Sequence, residues 1–529
     1  MDVLSFRFLI FVCAFLLLYF LVPKKVQWYL ILLANVVFYL FSGAWYILFL
    51  IFTSVITFVS ALKLEKYNIT CRSELTSAGN AAEKKAINAK YKSKKKTLCT
   101  IAVILGLGVW VVLKFGNFFI DNINAVIGIF SNEVQISSMS IILPLGISFY
   151  TFHAIGYMID VYRGKYPAEH NFLRFFTFVS FFPHIIQGPF SRFEKLGVQL
   201  FEEHSFDYDR FCKGLARILF GVFKKAVIAD KLGISINSIV LNYQDYNGIY
   251  IIFAMLMYGV QLYCDFTGYM DIMCGICQIM GIELAENFKQ PYFSKSIDEY
   301  WRRWHITLGH WYRDYIFYPV SMSGFCQKIG KNARKKWGPK MGKLLPGYIA
   351  LILVWTGTGL WHGATWTNVI WGYLNLLIIV CTMQFEDSYN KFKAKLHIKE
   401  TTRWFNVFRM IRTYLLITLI RYFGVNSTMP VSASFGMLKK TFGGLDFSLL
   451  TKPLSLFVGM STLEIIFAVL GTVTVFTVDV LSYNGRWGSA KAKCPTILRV
   501  FVYVGIFYAI FLVAGGSNDL IGGFMYANF

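Results

Sequence analysis

Charged side chains are scarce in this chain of 529 residues. They make up 15% of the sequence, whereas soluble domains carry about a quarter. Hydrophobic residues account for 56% and aromatic residues for 18%, and apolar runs of about 20 residues recur from end to end. These features exclude a soluble helical protein with one large core. They predict an all-α, polytopic integral membrane protein with about 10–12 transmembrane helices, which we interpret as a single domain, 1–529.

Acidic residues are few as well, since 29 Asp and Glu stand against 52 Lys and Arg. In membrane proteins Lys and Arg collect in cytoplasmic loops. Segment 63–97 has ten basic and three acidic residues, and 327–343 has seven basic and none acidic. We therefore expect 63–97 and 327–343 to be cytoplasmic loops, and the basic 386–412 to face the cytoplasm as well. Segment 116–140 has no Lys or Arg and should face outside.

The same alternation places the N-terminus and the C-terminal tail outside. The net charge of +23 also suits a polyanionic partner, such as a nucleotide-bearing coenzyme, or anionic lipids. Composition alone does not show whether the basic residues serve such a partner or only mark the cytoplasmic side of the membrane.

Several common targeting, metal-binding and phosphate-binding motifs are missing from the sequence. The first apolar run ends in Pro23-Lys24-Lys25 rather than in a small-residue cleavage site, so we expect no cleavable signal. Cys274 and Cys277 form a lone CxxC in an apolar segment, which favours small buried side chains over zinc or redox chemistry. We find neither a metal-ligand cluster nor a phosphate-cradling glycine loop. The sequence therefore predicts no metal, no tightly bound cofactor and no nucleic-acid partner.

Apolar segments and their breaks predict where the helices lie. The expected spans are 8–22, two within 26–62 on either side of Gly43, 98–113, 140–162, 248–264, 268–284, a hairpin of two in 346–383, 413–425, 460–481 and 497–514. Segment 181–193, FFPHIIQGPFSRF, holds two prolines and a glycine among apolar residues and predicts a broken or re-entrant segment. Segment 210–230 mixes basic and apolar residues and predicts a helix along the membrane interface.

The stretch 287–319 is the most polar and aromatic run in this largely apolar chain. Gly309 is the only helix breaker between Ile297 and Tyr318, so we expect a helix of several turns there. At helical spacing one face of that helix carries Trp301, His305, Leu308 and Tyr312. Such a helix cannot face lipid all round, so it is expected in protein, beside a wet cavity or at the interface.

A second stretch, 357–371, reads GTGLWHGATWTNVIW and contains His362 between two apolar segments. An ionisable residue at that position is a functional candidate. From the residues alone, a catalytic base and a core histidine bonded to a carbonyl are equally good interpretations. Charge bias places His362 toward the outer half of the membrane and His305 nearer the inside.

Three motifs occur together in this chain: QLYCDFTGYMDI (261–272), ENFKQPYFSKSIDEYWRRWHITLGHWYRDYIFYP (286–319) and GLWHGATWTNVIWG (359–372). The combination of WRRWHITL with a later LWHGA resembles the membrane-bound O-acyltransferases, and within them the bacterial alginate O-acetylase-like branch. The likeness covers nearly the whole chain, with its core motifs in 261–372. It implies transmembrane, re-entrant and interfacial helices around a central tunnel. The basic connection after Pro319 is longer than in many members of that branch.

The resemblance implies a membrane O-acyltransferase of the bacterial cell membrane. Its acyl donor would be a cytoplasmic thioester, acetyl-CoA, and its acceptor would be extracytoplasmic. The product would be an O-acetylated cell-surface or secreted polysaccharide, made through an extracytoplasmic partner protein. The two family histidines correspond to His305 and His362, the second being the catalytic one. A neutral imidazole suits a general base because its reference pKa is about 6.5.

Further side chains are candidates for contacts with the substrates. These are Asp265, Asn287, Trp301, Arg302, Arg303, Trp304 and Trp361. Arg302 and Arg303 would meet donor phosphates or anchor a helix at the interface. Asp265 would satisfy a polar partner inside the helix bundle or relay a proton. His310 and Asp314 form an HxxxD at i and i+4, which we interpret as a helix-surface pair.

Two alternatives remain open at this point. The first is transfer of D-alanyl or another acyl group from a carrier protein to teichoic acid. The second, from a different class, is a transporter or flippase. Polar helices inside an apolar helix bundle also suit a translocation path. We find no duplicated halves and no paired broken helices, which argues against the second.

Overall fold

The computed structural model describes residues 3–130, 134–140 and 143–514. The C-terminal tail expected outside, residues 131–133 of the expected external loop and residues 141–142 of the span expected at 140–162 lie outside these ranges. The described residues contain no strand, and one antiparallel bridge joins Phe288 and Trp304. Seven of the described helices are long and apolar enough to cross a membrane. This confirms the prediction of an all-α, polytopic membrane protein.

Seven is fewer than the expected 10–12 because several apolar segments form short helices. The first helix, Phe6–Leu21, has 16 residues. At about 1.5 Å per residue it falls short of the ~30 Å apolar thickness of a bilayer.

The chain divides into two compact units: Met1–Gly214 with Met273–Ala285, and Leu215–Ile272 with Glu286–Phe529. We call them unit 1 and unit 2. The interpretation of 1–529 as one domain stays a prediction. The helices that lie in unit 1 are α1 (Phe6–Leu21), α2 (Gln27–Leu40), α3 (Ile47–Ser77), α4 (Ala81–Phe130), α5 (Ile147–Tyr162), α6 (Phe172–Ser180), α7 (Phe182–Ile185) and α8 (Val198–Phe201).

Helices α3 and α4 correct two expectations about loops. The basic segment 63–97 is helical except at residues 78–80, because its Lys, Glu and Ala residues favour helix. Helix α4 runs for 50 residues to Phe130, so much of the loop expected at 116–140 is helical too. The chain break near Gly43 is confirmed, since Gly43 has a φ of 125° between α2 and α3.

Segment 181–193 is irregular, as its prolines predict. Helix α6 ends at Ser180, and Phe181 leaves the helical region with φ −53° and ψ 111°. The four-residue α7 follows, with Pro183 in its first turn. The chain then stays non-helical until a π-helical turn at Phe193–Gly197. Whether the segment re-enters a membrane stays a prediction.

Helix α9 (Tyr208–Phe223) begins in unit 1 and ends in unit 2, and a π-helical stretch, Lys224–Ala229, follows it. The segment 210–230 is therefore helical, as predicted. The remaining helices are α10 (Asp230–Leu241), α11 (Gly248–Met280), α12 (Ile297–Arg303), α13 (Ile306–Tyr312), α14 (Tyr318–Ser321), α15 (Gly324–His362), α16 (Trp366–Lys395), α17 (Arg403–Arg421), α18 (Val431–Gly443), α19 (Thr462–Tyr483), α20 (Trp487–Lys493) and α21 (Thr496–Ala514).

Helix α11 corrects the prediction of two spans at 248–264 and 268–284. It is one continuous helix of 33 residues. Gly268 does not end the helix, because this glycine allows α11 to approach α9 closely. A Cβ at Gly268 would lie 2.8 Å from the Gly221 carbonyl oxygen, and a Cβ at Gly221 would lie 2.6 Å from the Gly268 carbonyl oxygen.

Helices α15 and α16 form the hairpin predicted for 346–383. The chain turns at Gly363–Thr365, directly after His362. The basic segment 327–343 is not a loop but the first half of α15, which is kinked at Gly338 with a φ of 88°. Likewise, 386–412 comprises the end of α16, a connection and the start of α17. The late spans correspond to α17, α19 and α21.

Candidate functional site

The polar stretch after Asn287 is not the single long helix that its sequence predicts. It forms the short helices α12 and α13, which are separated at His305. His305 has φ 49° and ψ 50°, the left-handed region, which costs a residue with a side chain about 1–2 kcal/mol. The row of Trp301, His305 and Tyr312 on one helix face is therefore wrong, because Trp301 and His305 do not share a helix.

The segment that precedes α12 holds this break in place. The Lys289 N–H donates to the Arg303 carbonyl oxygen, and the Ile306 N–H donates to the Asn287 carbonyl oxygen, each over 3.0 Å. These bonds occupy backbone groups on both sides of His305 that a continuous helix would use internally. They come from residues at least 14 positions away, so no local pattern predicts them.

Asn287 is the centre of this arrangement. It is fully buried, and its Oδ1 accepts from the Thr307 N–H at 3.0 Å and from the Thr307 hydroxyl at 2.9 Å. The same oxygen lies 3.3 Å from His305 Nδ1. Because Oδ1 is an acceptor, Nδ1 donates the proton and the ring's lone pair lies on Nε2. Asn287 thus orients His305.

His305 is buried among aromatic rings, outside the seven candidate spans. Its ring centroid lies 4.9 Å from that of Phe266 and 5.8 Å from that of Trp361. Burial lowers the pKa of His305 well below its ordinary value, and the nearby His362 lowers it further. His305 is therefore a neutral imidazole at physiological pH.

His362 is the last residue of α15 and borders a cavity within unit 2. Its ring lies 4.8 Å from the Trp361 ring and 4.9 Å from the Trp371 ring, both edge to face. The cavity is lined by Tyr258, Leu262, Tyr300, Trp301, Trp304, His362, Asn368, Trp371, Asn375, Ile417, Ile420, Arg421 and Gly424. His305 is not among these residues. Trp361 contacts both histidine rings.

Two glycines bring α15 and α16 together beside His362. A Cβ at Gly359 would lie 2.6 Å from the Asn368 carbonyl oxygen, and one at Gly372 would lie 2.6 Å from the Trp355 carbonyl oxygen. At the turn, the Asn368 Nδ2 donates to the Gly363 carbonyl oxygen at 3.4 Å. The backbone around His362 is therefore fixed by close packing of the hairpin.

Trp301 and Trp304 belong to the cavity wall. The Trp301 Nε1–H donates to Asn375 Oδ1 at 3.1 Å. Trp304 stacks on Tyr300 with ring centroids 5.5 Å apart. Trp361 is buried beside the histidines and is not part of the wall.

Arg302, Arg303 and Asp265 do not line the cavity. Arg302 is exposed and pairs with Asp298, and Arg303 pairs with Glu299 at 2.8 Å. Asp265 is buried and pairs with Lys225 at 2.8 Å, so it satisfies a polar partner inside the bundle. His310 is exposed, as expected for a helix-surface residue.

Arg421 is a cavity residue that the sequence interpretation did not single out. It ends α17 and is 4% exposed. A signal was present, because a lone arginine inside the expected span 413–425 is as conspicuous as the two histidines. Asn368 and Asn375 were missed as well, and they carry no comparable signal.

Known protein families and individual proteins resemble this chain in sequence. The model of the membrane-bound O-acyltransferase family matches residues 167–332. A probable alginate O-acetylase of Azotobacter vinelandii is 38% identical over 69% of this chain and 64% of its own length. One from Pseudomonas aeruginosa is 33% identical over 78% of this chain and 69% of its own length. A peptidoglycan O-acetyltransferase of Helicobacter pylori is 29% identical over 68% and 65%.

The chain thus spans a little under two thirds of the Azotobacter and Helicobacter proteins. Teichoic acid D-alanyltransferases also match, over about half of this chain, 51% and 54%. Likeness to the Pseudomonas protein extends over more than two thirds of both sequences. The chain therefore belongs to the membrane-bound O-acyltransferase family.

Proposed function

We propose that this protein is an O-acetyltransferase of the bacterial cell membrane. It moves an acetyl group from cytoplasmic acetyl-CoA to an extracytoplasmic acceptor, for O-acetylation of a cell-surface or secreted polysaccharide. The observation that carries the proposal is the position of His362, half-buried on the wall of an aromatic cavity, in a chain whose relatives are named for O-acetylation.

The chemistry requires a base for the acceptor hydroxyl. The His362 imidazole takes the hydroxyl proton while the oxygen attacks the thioester carbonyl carbon. The carbon–sulfur bond breaks, and the proton passes from the imidazole to the leaving thiolate. Aromatic rings at 4.8 and 4.9 Å restrict water at the ring, which limits hydrolysis of the thioester.

In this proposal His305 has a positioning role beside the base, His362. Its neutral ring is held by Asn287 and lies against Trp361, which in turn contacts His362. It positions the acyl group or the arm of the donor near the inner mouth of the site. Arg302 and Arg303 would receive donor phosphates, which must then compete with Asp298 and Glu299 for the two guanidinium groups.

The N-terminus faces outside in the proposed topology, and an extracytoplasmic partner protein passes the acetyl group to the polymer. D-alanyl transfer is the second candidate. It is weaker because the relatives that match over about two thirds or more of this chain are named for O-acetylation.

The test is the acetyl content of surface polysaccharides isolated from cells with and without the gene. We expect ester-linked acetate to fall on deletion and to return with the wild-type gene but not with His362→Ala. Ester-linked D-alanine is measured on the same material. A fall in D-alanine with unchanged acetate would replace acetyl by D-alanyl transfer, and no change in either ester would refute the proposed function.

A further inference from the structure

Arg421 is a buried cation on the wall of the cavity that His362 borders. Its Nη2 donates to the hydroxyls of Tyr292 and Tyr300, at 3.1 Å each. Its guanidinium also lies over the rings of Tyr292 and Trp304, at 5.6 and 5.8 Å. All three neighbours are neutral, so they solvate the guanidinium without balancing its charge.

No carboxylate compensates Arg421. Within the part of the chain that the structure describes, no Asp or Glu forms an ion pair with it, and its buried Nη1 has no hydrogen-bond partner. The described lining residues of the cavity include no Asp or Glu either. A guanidinium stays charged at every physiological pH. The wall beside His362 is therefore positive, with no counter-ion from these residues.

A buried lysine of the same unit provides the contrast. Lys225 is 2% exposed and binds Asp230 and Asp265 at 2.7 and 2.8 Å. Its charge is balanced inside the helix bundle, and it does not line the cavity. Arg421 is 4% exposed and lacks such partners. Its uncompensated charge acts on whatever enters the cavity.

The acyl group of the donor enters this cavity if His362 is the base. The oxygen that loses its proton to His362 attacks the thioester carbonyl carbon, and atoms poised to react stand about 3–3.5 Å apart. The rest of the acyl group is joined to that carbon by one bond, so it lies within the same walls. A charge on the acyl group would then interact with Arg421 where little water screens it.

We propose that Arg421 selects the acyl group by charge, so that the cavity accepts a neutral acyl group and rejects a cationic one. This inference rests on the proposed function. Acetyl is neutral, whereas an aminoacyl group such as D-alanyl carries an ammonium at neutral pH. Two like charges about 8 Å apart, at an effective dielectric constant of about 20, weaken binding roughly 30-fold.

The wall offers an ammonium group little compensation. The Asn375 side-chain oxygen already accepts from the Trp301 Nε1–H at 3.1 Å. Aromatic faces attract cations, but the face of Trp304 already lies under the Arg421 guanidinium. Attraction by the other rings does not depend on Arg421, so substitution of the arginine separates the two effects.

The experiment measures the binding of three CoA thioethers to the full-length protein in nanodiscs. S-isobutyl-CoA and S-(2-aminopropyl)-CoA have the same shape, and only the second carries an ammonium. S-ethyl-CoA is a stable substitute for acetyl-CoA. Thioethers are not substrates for acyl transfer, so the measurement reports binding alone. Trp301, Trp304 and Trp371 in the wall make tryptophan fluorescence a suitable readout.

We expect the wild type to bind S-isobutyl-CoA about 30-fold more tightly than S-(2-aminopropyl)-CoA. Arg421→Gln should make the two affinities equal, mainly by strengthening the binding of the ammonium compound. Arg421→Lys keeps a positive charge and should retain most of the difference. Tyr292→Phe is the matched control, because it removes a hydroxyl partner of Arg421 but keeps the charge. It should keep the full difference.

Equal binding of the shape-matched pair by the wild type would overturn the inference, as would an Arg421→Gln protein that still rejects the ammonium. The wild-type comparison decides even where Arg421→Gln is too unstable to purify. Tighter binding of the ammonium compound would also overturn it, and would favour D-alanyl transfer. If S-ethyl-CoA binds without discrimination within the pair, the inference fails and the proposed function stands. If none of the three thioethers binds, the proposed CoA donor fails together with the inference.

Discussion

At the scale of single residues, His362 is the side chain on which the proposed chemistry depends. If it is the general base, His362→Ala and His362→Gln should both lose about 10²–10⁴-fold in acetyl transfer. Glutamine keeps most of the volume and hydrogen bonding but cannot accept and release the proton. The measurements are transfer rates and melting temperatures of detergent-purified, monodisperse variants.

The control for that series is His397→Gln, since His397 is exposed in the connection after α16. It should keep wild-type rate and melting temperature. A structural His362 predicts the opposite pattern, in which glutamine restores activity and alanine lowers the melting temperature. A stable, fully active His362→Gln protein would therefore end the proposal that His362 is the base.

Asn287 holds His305 and Thr307 through its side chain, and its expected contact with substrate stays a prediction. Asn287→Ala removes the acceptor shared by His305 and Thr307. Leaving such buried donors unsatisfied costs about 1–3 kcal/mol, so the free energy of unfolding should fall by that amount. Transfer should fall too, because His305 loses its orientation.

The matched control for Asn287 is Asn242→Ala. The Asn242 side chain is exposed and donates to the Ser238 carbonyl oxygen of its own helix end. It should change stability by a few tenths of a kcal/mol at most. An Asn287→Ala protein with unaltered stability would show that the bonds to Thr307 and His305 do not hold the break in place.

At the scale of elements, the hairpin of α15 and α16 was predictable and the break at His305 was not. The hairpin follows from two apolar runs flanked by basic segments. The break depends on bonds from residues 287–289 to residues 303–306, and these offset a left-handed conformation that local propensity disfavours. The residues on both sides of His305 within 297–318 favour helix, so the sequence alone predicts one continuous helix.

The basic segments show a second limit of the sequence. Lys and Arg indicate the side of the membrane, but they also favour helix. Segments 63–97 and 327–343 accordingly continue their helices instead of forming loops. The prediction of two spans at 248–264 and 268–284 failed for another reason, since Gly268 permits contact with Gly221 and does not end the helix. A glycine's role depends on a partner that its own segment does not contain.

The close approach of α15 and α16 gives a prediction about Gly359. Gly359→Ala places a methyl group 2.6 Å from the Asn368 carbonyl oxygen, and the backbone cannot yield cheaply. We expect a loss of about 1–3 kcal/mol in stability and reduced transfer, because His362 lies three residues further along α15. Melting temperature and transfer rate are measured together.

Gly357→Ala is the control on the same helix. A methyl group there meets Tyr312 at 4.0 Å, an ordinary contact. This variant should match or slightly exceed wild-type stability, since alanine favours helix over glycine by about 1 kcal/mol. Equal effects of the two substitutions would mean that helix propensity, rather than the hairpin contact, governs this region.

At the scale of the whole molecule, the polytopic helical class was predictable because composition and run length decide it. The two-unit division was not, since α9 and α11 each cross from one unit to the other and no linker marks the boundary. The role of Arg421 was predictable only in part. Its charge within an apolar segment was visible, but its place beside His362 depends on the packing of α17 in unit 2.

The orientation of the molecule is the remaining whole-molecule prediction. The charge bias places 63–97 inside and 116–140 outside. Ser93 is exposed on α4 within the first segment, and Ser138 is exposed within the second. In a background without the ten native cysteines, Ser138→Cys should react with a membrane-impermeant thiol reagent in intact cells. Ser93→Cys should react only after permeabilisation.

The same pair of variants supplies its own controls, because each cysteine must react fully in permeabilised cells. Labelling of Ser93→Cys from outside would invert the orientation. His305 would then lie nearer the outside and His362 nearer the cytoplasm. Acetyl-CoA would have to reach the catalytic histidine from the opposite mouth, and the order of donor and acceptor along the site would reverse.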